Sequence, residues 1–419
     1  MSIRHRDTCR LCDSPRVELV VKLEPIPLSE NYCEDSESGK NTPRYPVDLY
    51  MCADCGHVQQ LDVIDAQSLW EKYTYFSGEA KGMPEHFADV AAKTIKRFPF
   101  PRGSLIIDIG SNDGSLLRPF QVEGYTVLGI DPAVEIAAQA TAAGITTIPE
   151  LISLPLAEKV RAGYGMANIV CMFNAFAHAD NMHEVMQSIR LLLEENGVFI
   201  FESQYLMDIV DKNLIATIFH EHISHHSVGA LVKFFDYHGM ELIDVERVAI
   251  QHGSIIGTVQ HKGGCHSLSP AVGNLLQMEA ERGLDQPATL LDFAAAIRGI
   301  KERVSALAAT WKARNLTVAG FGAARSGPML IAQLGLKDAI HFIVDDHPQK
   351  IHKYSSGDGI PIVPVSELYQ RMPEYTVILA WVHSAKIIET HHKYLENGGR
   401  FVVLCPEPCI VSKDGISAL

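Results

Sequence analysis

Between residues 76 and 265 the chain alternates short apolar runs with longer stretches of mixed polarity. The runs at 105–109, 126–130, 168–172 and 198–201 are apolar at nearly every position, the pattern of strands covered by helices on both faces. Two further runs, 241–245 and 255–260, flank a His252-Gly253 turn and complete the expected sheet. The period then changes. Phe293, Ile297, Ile300, Val304, Leu307 and Trp311 recur every three or four positions, predicting a long amphipathic helix over 289–314 with Pro287 at its approach. A second strand-and-helix alternation follows, with apolar runs opening at Thr317, His341, Val377 and Phe401. Such alternation predicts an α/β protein with two Rossmann-like, doubly wound sheets. Residues 1–75 fit neither period. They carry Pro25, Pro27, Pro43, Pro46 and a polar stretch at 34–41, so this segment has too little core to fold without a staple. The expected organisation is a small module over 1–75, a first α/β domain over 76–265, a helical connector over 266–315 and a second Rossmann-like domain over 316–419.

The staple is written in cysteine. Cys9-Arg-Leu-Cys12 and Cys52-Ala-Asp-Cys55 are two knuckles separated by 39 residues, and together they supply the four thiolates of a closed, structural zinc site. A redox pair would explain only one knuckle. With every position filled by sulfur, the metal has no open site for catalysis.

The strand at 105–109 runs into Asp108-Ile-Gly-Ser-Asn-Asp-Gly114, and the next strand ends at Asp131. A glycine bend lets a ligand approach the backbone, and an acid ending the second strand suits ribose hydroxyls. Gly110 and Gly114 are spaced Gly-x-x-x-Gly, unlike the Gly-x-Gly-x-x-Gly that seats a pyrophosphate. A ligand with a ribose and no phosphate is expected, and S-adenosylmethionine is that ligand. Asp108, Gly110, Ser111, Asn112, Gly114 and Asp131 are its expected contacts.

Charge narrows the partners. Lys and Arg number 36 against 50 Asp and Glu, a formal net charge of −14. The cysteine module is itself acidic, which disfavours the nucleic-acid role open to many zinc ribbons. No run has the length to span a membrane and the first residues lack a signal-peptide core, so a cytoplasmic protein is expected. No heptad stripe demands a partner helix, and a monomer acting on a small molecule is the expectation.

Phe219-His-Glu-His-Ile-Ser-His-His226 gathers four histidines around one glutamate, a setting for proton transfer near neutral pH. Ser224 stands where a His-Glu-x-x-His zinc motif would need its second histidine. These features, with Tyr73-Thr-Tyr75-Phe-Ser77, Asn174-Ala-Phe-Ala-His178, Glu202-Ser-Gln-Tyr205, Gly320-Phe-Gly-Ala-Ala324 and Asp345-Asp-His-Pro-Gln-Lys350, occur in one order along nearly the whole chain. In that combination the chain resembles the S-adenosylmethionine-dependent sugar-nucleotide C-methyltransferases of branched-deoxysugar biosynthesis. The resemblance implies methylation of a nucleotide-linked 4-keto-deoxysugar at the carbon beside the ketone. It implies His222 as enolising base with Glu221 orienting it, and His178 and Tyr75 at the sugar oxygens. Asn174 is implied at the methionine end of the cofactor. Ser77, Tyr205, His220, Arg325, Asp345 and Lys350 are implied as substrate contacts, the last three toward the nucleotide diphosphate.

The chain departs from the family pattern at Phe219, commonly Tyr, at His225 and His226, often aromatic, at Ser326, often Lys, and at Gly78, often Ser. The sugar, the nucleotide and the methylated position therefore stay open, as does a non-sugar carbon acid. O- or N-methylation and a non-catalytic binding role are the rival readings. A nucleic-acid-binding zinc protein is the remaining one.

Overall fold

The computed structural model describes residues 3–65, 69–70, 76–80 and 82–419. The N-terminal module is built from short antiparallel strands. β1 (Ile3–His5) pairs with β5 (Asp62–Ile64), while β2 (Val17–Val21), β3 (Leu49–Cys52) and β4 (Val58–Gln59) form a separate sheet.

The central sheet has seven strands: β6 (Leu105–Ile109), β7 (Thr126–Ile130), β8 (Thr147–Ile148), β9 (Ala167–Phe173), β10 (Leu193–Gln204), β12 (Met240–Val248) and β13 (Ser254–His261). Their order is β12-β13-β10-β9-β6-β7-β8, with the five strands from β10 to β8 parallel and the β12–β13 hairpin antiparallel. Alternate residues face two cores. Ile106, Ile169 and Ile200 pack under the helix Met83–Arg97, whereas Ile107, Val170 and Phe201 join a larger core on the other face. This burial on both sides is why the strands read as continuous apolar runs.

A short strand, β11 (Ser224–His225), leaves the central domain and adds to the module's sheet by pairing antiparallel with β4. The segment immediately after His222 is thus a strand of the zinc module.

The C-terminal sheet comprises β14 (Val318–Phe321), β15 (Phe342–Asp345), β16 (Ile362–Pro364), β17 (Tyr375–Ile378), β18 (Phe401–Val403), β19 (Cys409–Ser412) and β20 (Gly415–Ala418). The first five are parallel in the order β16-β15-β14-β17-β18, and an antiparallel hairpin closes the edge. Between the domains lies the helix Pro287–Ala313, with Phe293, Ile297, Ile300, Val304 and Trp311 buried as their spacing predicts. These residues share one continuous core with module residues such as Val21 and Met51 and with Val318 and Val377 of the last sheet. Among the described residues no helix is long and apolar enough to cross a membrane.

Candidate active site

The two knuckles fold identically. Cys9 N–H donates to the Ser14 carbonyl and Cys52 N–H to that of His57, while Asp13 and Gly56 donate back to Cys9 and Cys52. Asp13 and Gly56 both take positive φ, 55° and 79°, to close these turns. The four sulfurs lie within 4.8 Å of one another, with Cys9–Cys55 and Cys12–Cys52 each 3.6 Å apart. Zinc–sulfur bonds of about 2.3 Å in a tetrahedron require edges of roughly 3.8 Å, so the sulfurs fit the metal. Short contacts run between the two knuckles, so one ion can be shared by both.

At the carboxyl ends of β6, β7 and β9 lies a cavity of about 350 Å³. Gly110 turns the chain there with φ 77°, and a Cβ on it would come within 2.6 Å of Ala175 Cβ. Asp131 braces the bend, its Oδ2 accepting from Asn112 N–H at 2.8 Å and its Oδ1 from Ala133 N–H at 2.9 Å. Apolar walls come from Ile130, Leu151, Ile152, Met172 and Val185. Asp131, Glu150, Asp180 and Glu184 also line the space, and among the described residues no Lys or Arg does. A cavity with acids and no cation suits a nucleoside bearing a positive sulfonium better than one bearing phosphates.

A column of rings runs back from the cavity, whose lining includes Trp70 and His178 but not His222 or Phe219. Trp70 stacks on His178 at 5.1 Å, His178 on His222 at 5.1 Å, and His222 on Phe219 at 4.0 Å. His222 Nδ1 lies 2.8 Å from the Thr217 carbonyl. A carbonyl only accepts, so Nδ1 carries the proton and Nε2 the lone pair. Burial holds the His222 pKa down to about 4 and that of His178 well below its ordinary value, so both rings are neutral at physiological pH.

The chain matches known protein families along most of its length. A "C-methyltransferase C-terminal domain" model matches residues 249–406, a "Methyltransferase domain" model residues 83–245, and a "Putative zinc binding domain" model residues 9–70. The C-methyltransferase NovU of Streptomyces niveus is 32% identical over 413 residues, spanning 98% of this chain and 98% of its own. This chain belongs to that C-methyltransferase family.

The methyltransferase takes S-adenosylmethionine as methyl donor and holds a structural zinc on its four cysteines. Solved structures overlap part of it. The magnesium protoporphyrin IX methyltransferase ChlM of Synechocystis PCC 6803 with bound SAM has TM-score 0.33 and 16% identity, over 42% of this chain and 79% of its own. The PH0226 protein of Pyrococcus horikoshii OT3 has TM-score 0.38 and 12% identity, over 47% and 100%.

Of the residues singled out from sequence, Ser77, Gly110, Asn112, Asp131, Asn174 and His178 line the methyltransferase's cavity. Asp108, Ser111 and Gly114 stand behind that lining. Asp108 is buried with Oδ1 unpartnered among the described residues, and burial, then Asp131, raises its pKa to about 8. Ser111 fills the space beside Gly129, and Gly114, at φ 78°, passes close to Ile145. Tyr75 lies outside the described residues.

Several expected roles change. Glu221 does not orient His222: its carboxylate pairs with Arg325, and the Thr217 carbonyl does the orienting. Tyr205, expected at the substrate, is fully buried, and its hydroxyl donates at 2.8 Å to Glu279, which in turn accepts from Val228 and Gly229 N–H. His220 is likewise buried and donates to the Tyr45 carbonyl at 3.2 Å, joining the central domain to the module. Asp345 spends both oxygens on Ala323 and His347 N–H. Arg325 bridges Glu221 and Glu30, and Lys350 lies 3.7 Å from the same Glu30.

Sequence reasoning missed Thr217, whose carbonyl carries no residue-type signal. It also missed Trp70, one of three tryptophans and placed at the end of the polar module, and Arg10, whose position between two zinc ligands was the available clue.

Proposed function

We propose that this enzyme methylates the carbon beside the ketone of a nucleotide-linked 4-keto-deoxysugar, with His222 as the base. The observation that carries this reading is the His222 ring itself. Its Nδ1–H is committed to Thr217, its Nε2 lone pair has no hydrogen-bond partner among the described residues, and it stacks on a histidine that lines the cavity. Methylation of carbon requires a carbanion, and therefore a base placed beside the acceptor; methylation of oxygen or nitrogen has no such requirement. His222 Nε2 takes the α-proton, and the electron pair spreads onto the ketone oxygen as an enolate. On this reading His178 stabilises that oxygen's charge, and the family likeness gives Tyr75 the same role. S-adenosylmethionine supplies the electrophilic methyl that the carbon receives. Asp131 holds the ribose hydroxyls with lone pairs its backbone contacts leave over, the Gly110–Asn112 bend gives close approach, and Asn174 meets the methionine end. Arg325 and Lys350, which now share Glu30, are the cations this reading assigns to the diphosphate.

The test is exchange and mass. Incubated with a panel of nucleotide-linked 4-keto sugars in deuterated water and without cofactor, the enzyme should wash out one α-proton. With methyl-labelled cofactor the same sugar should gain one acid-stable methyl. Methyl transfer without prior exchange-competence, or onto an acid-labile position, would refute the base assignment.

A further inference from the structure

Asn174 is held twice by one residue. Its N–H donates to the Glu202 carbonyl at 2.9 Å and its Nδ2 donates to Glu202 Oε1 at 2.8 Å. The residue sits at φ 52°, a left-handed conformation that a side-chain-bearing residue keeps only when its surroundings impose it. Glu202 is fully buried near the carboxyl end of β10. Its other oxygen, Oε2, lies 2.5 Å from His86 Nε2. His86 stands at the start of the helix Met83–Arg97 with its side chain only 14% exposed. The carboxylate beside it raises the His86 pKa, which keeps a donor on Nε2 and charge on the pair.

This chain of contacts determines which way the Asn174 amide points. A carboxylate has no proton to give, so only the amide nitrogen can face Glu202. The amide oxygen is then the group left for whatever fills the cavity that Asn174 lines. An amide oxygen accepts from an ammonium; turned over, the same side chain would present N–H groups suited to a carboxylate. Without His86, the buried Glu202 carboxylate loses the charge-assisted partner on Oε2 and is no longer fixed against the Asn174 amide.

We propose that Glu202 and His86 are positioning residues for the methyl donor, fixing the Asn174 amide with its oxygen toward the α-ammonium of the donor's methionine end. The inference rests on the reading above that Asn174 meets that end. Neither Glu202 nor His86 lines the cavity, so both act through Asn174.

The experiment measures binding to the full-length enzyme by calorimetry, with two probes. S-adenosylhomocysteine carries the amino-acid end, and 5′-methylthioadenosine lacks it. His86→Leu should weaken S-adenosylhomocysteine about tenfold to a hundredfold, the worth of a hydrogen bond to a charged group, and leave methylthioadenosine within about twofold. His86→Gln, which restores a side-chain N–H, should recover most of the loss. Asn174→Ala should behave like His86→Leu. If His86→Leu leaves S-adenosylhomocysteine unchanged while Asn174→Ala weakens it, the positioning role is overturned. If His86→Leu weakens both probes equally, the residue is only structural and the proposal also fails. If Asn174→Ala itself leaves S-adenosylhomocysteine unchanged, the underlying assignment of Asn174 is what falls.

Discussion

Replacing Arg10 by methionine should loosen the joint between zinc module and catalytic loop without releasing zinc. Arg10 sits between the ligands Cys9 and Cys12 and is completely buried. Its guanidinium donates to the Ile223 carbonyl at 2.9 Å, the Gln60 carbonyl at 3.0 Å, Gln59 Oε1 at 3.1 Å and Asp180 Oδ1 at 3.2 Å. Burial pulls its pKa down to about 10, so it remains a cation at neutral pH. Gln60 and Ile223 flank the β4–β11 pairing and Asp180 lines the cofactor cavity, so one side chain ties the knuckle to the loop carrying His222 and to the cofactor site.

Methionine has similar length and no donors. The Gln60 carbonyl would then lose its buried donor at about 1–3 kcal/mol, while Gln59 Oε1 keeps the backbone N–H of residue 10, with part recovered because no cation is desolvated. Breaking a buried charged network of this kind costs about 3–5 kcal/mol. We expect a loss near the lower figure, read as a fall in urea midpoint at unchanged slope, with Trp70 fluorescence as the local reporter. Arg10→Lys, which keeps charge but not the planar fork, should recover roughly half. Metal analysis should still give one zinc per chain. A loss under about 1 kcal/mol, or a zinc-free Arg10→Met protein, would refute the reasoning.

Four further outcomes follow from the site. His222→Gln should abolish α-proton exchange while leaving S-adenosylhomocysteine affinity within about threefold, because His222 does not line the cavity. A base held down to about pH 4 is deprotonated through the neutral range, so the acid limb of kcat/KM should fall near pH 4 and the profile should be flat by pH 6; a limb centred at 6.5 would contradict the burial argument. Asp108, raised to about 8 by burial, binds a proton more tightly folded than unfolded, so it destabilises the fold increasingly as pH climbs from about 4 to 8. Asp108→Asn should remove that slope, opening a gain over the parent on the order of 3 kcal/mol between pH 5 and pH 8 in denaturant titrations without cofactor. Gly110→Ala must hold φ 77° and place its Cβ 2.6 Å from Ala175 Cβ, so equilibrium dialysis should show cofactor binding reduced at least tenfold.

The parallel strands were legible because burial on both faces leaves an uninterrupted apolar run, as at Ile106 and Ile107, which serve opposite cores. The knuckles were legible because four sulfurs at paired spacing have few other uses. Short strands were not. β8 has two residues and β11 two, too few for a period, and β11 lies inside the histidine cluster whose composition pointed to chemistry. That is also why the cluster misled in part. His225 and His226 are buried, and His226 stacks on His57 of the module and on Phe176. Three of the four histidines in an apparent catalytic motif, His220, His225 and His226, are buried in packing, and which ones depends on a strand pairing that local sequence does not encode.

The two glycine bends make the same point from the other side, because they are built alike and end differently. Gly110 N–H donates to Ile130 O at 2.7 Å, and Gly322 N–H to Val344 O at 2.8 Å. Asp131 and Asp345 each receive one N–H from the bend and one from the residue two positions on. A Cβ on Gly322 would come within 2.5 Å of Ala380, the counterpart of Ala175 below Gly110. Yet only the first bend opens on a large cavity. Over the second stands the N-terminal module: Tyr32 donates its hydroxyl to the Ala323 carbonyl at 2.5 Å and Ser29 donates to that of Arg325 at 2.9 Å. These cover residues lie nearly three hundred positions earlier in the chain. A motif therefore specifies the backbone device, acid brace included, while the occupant of the space above it is set by tertiary packing.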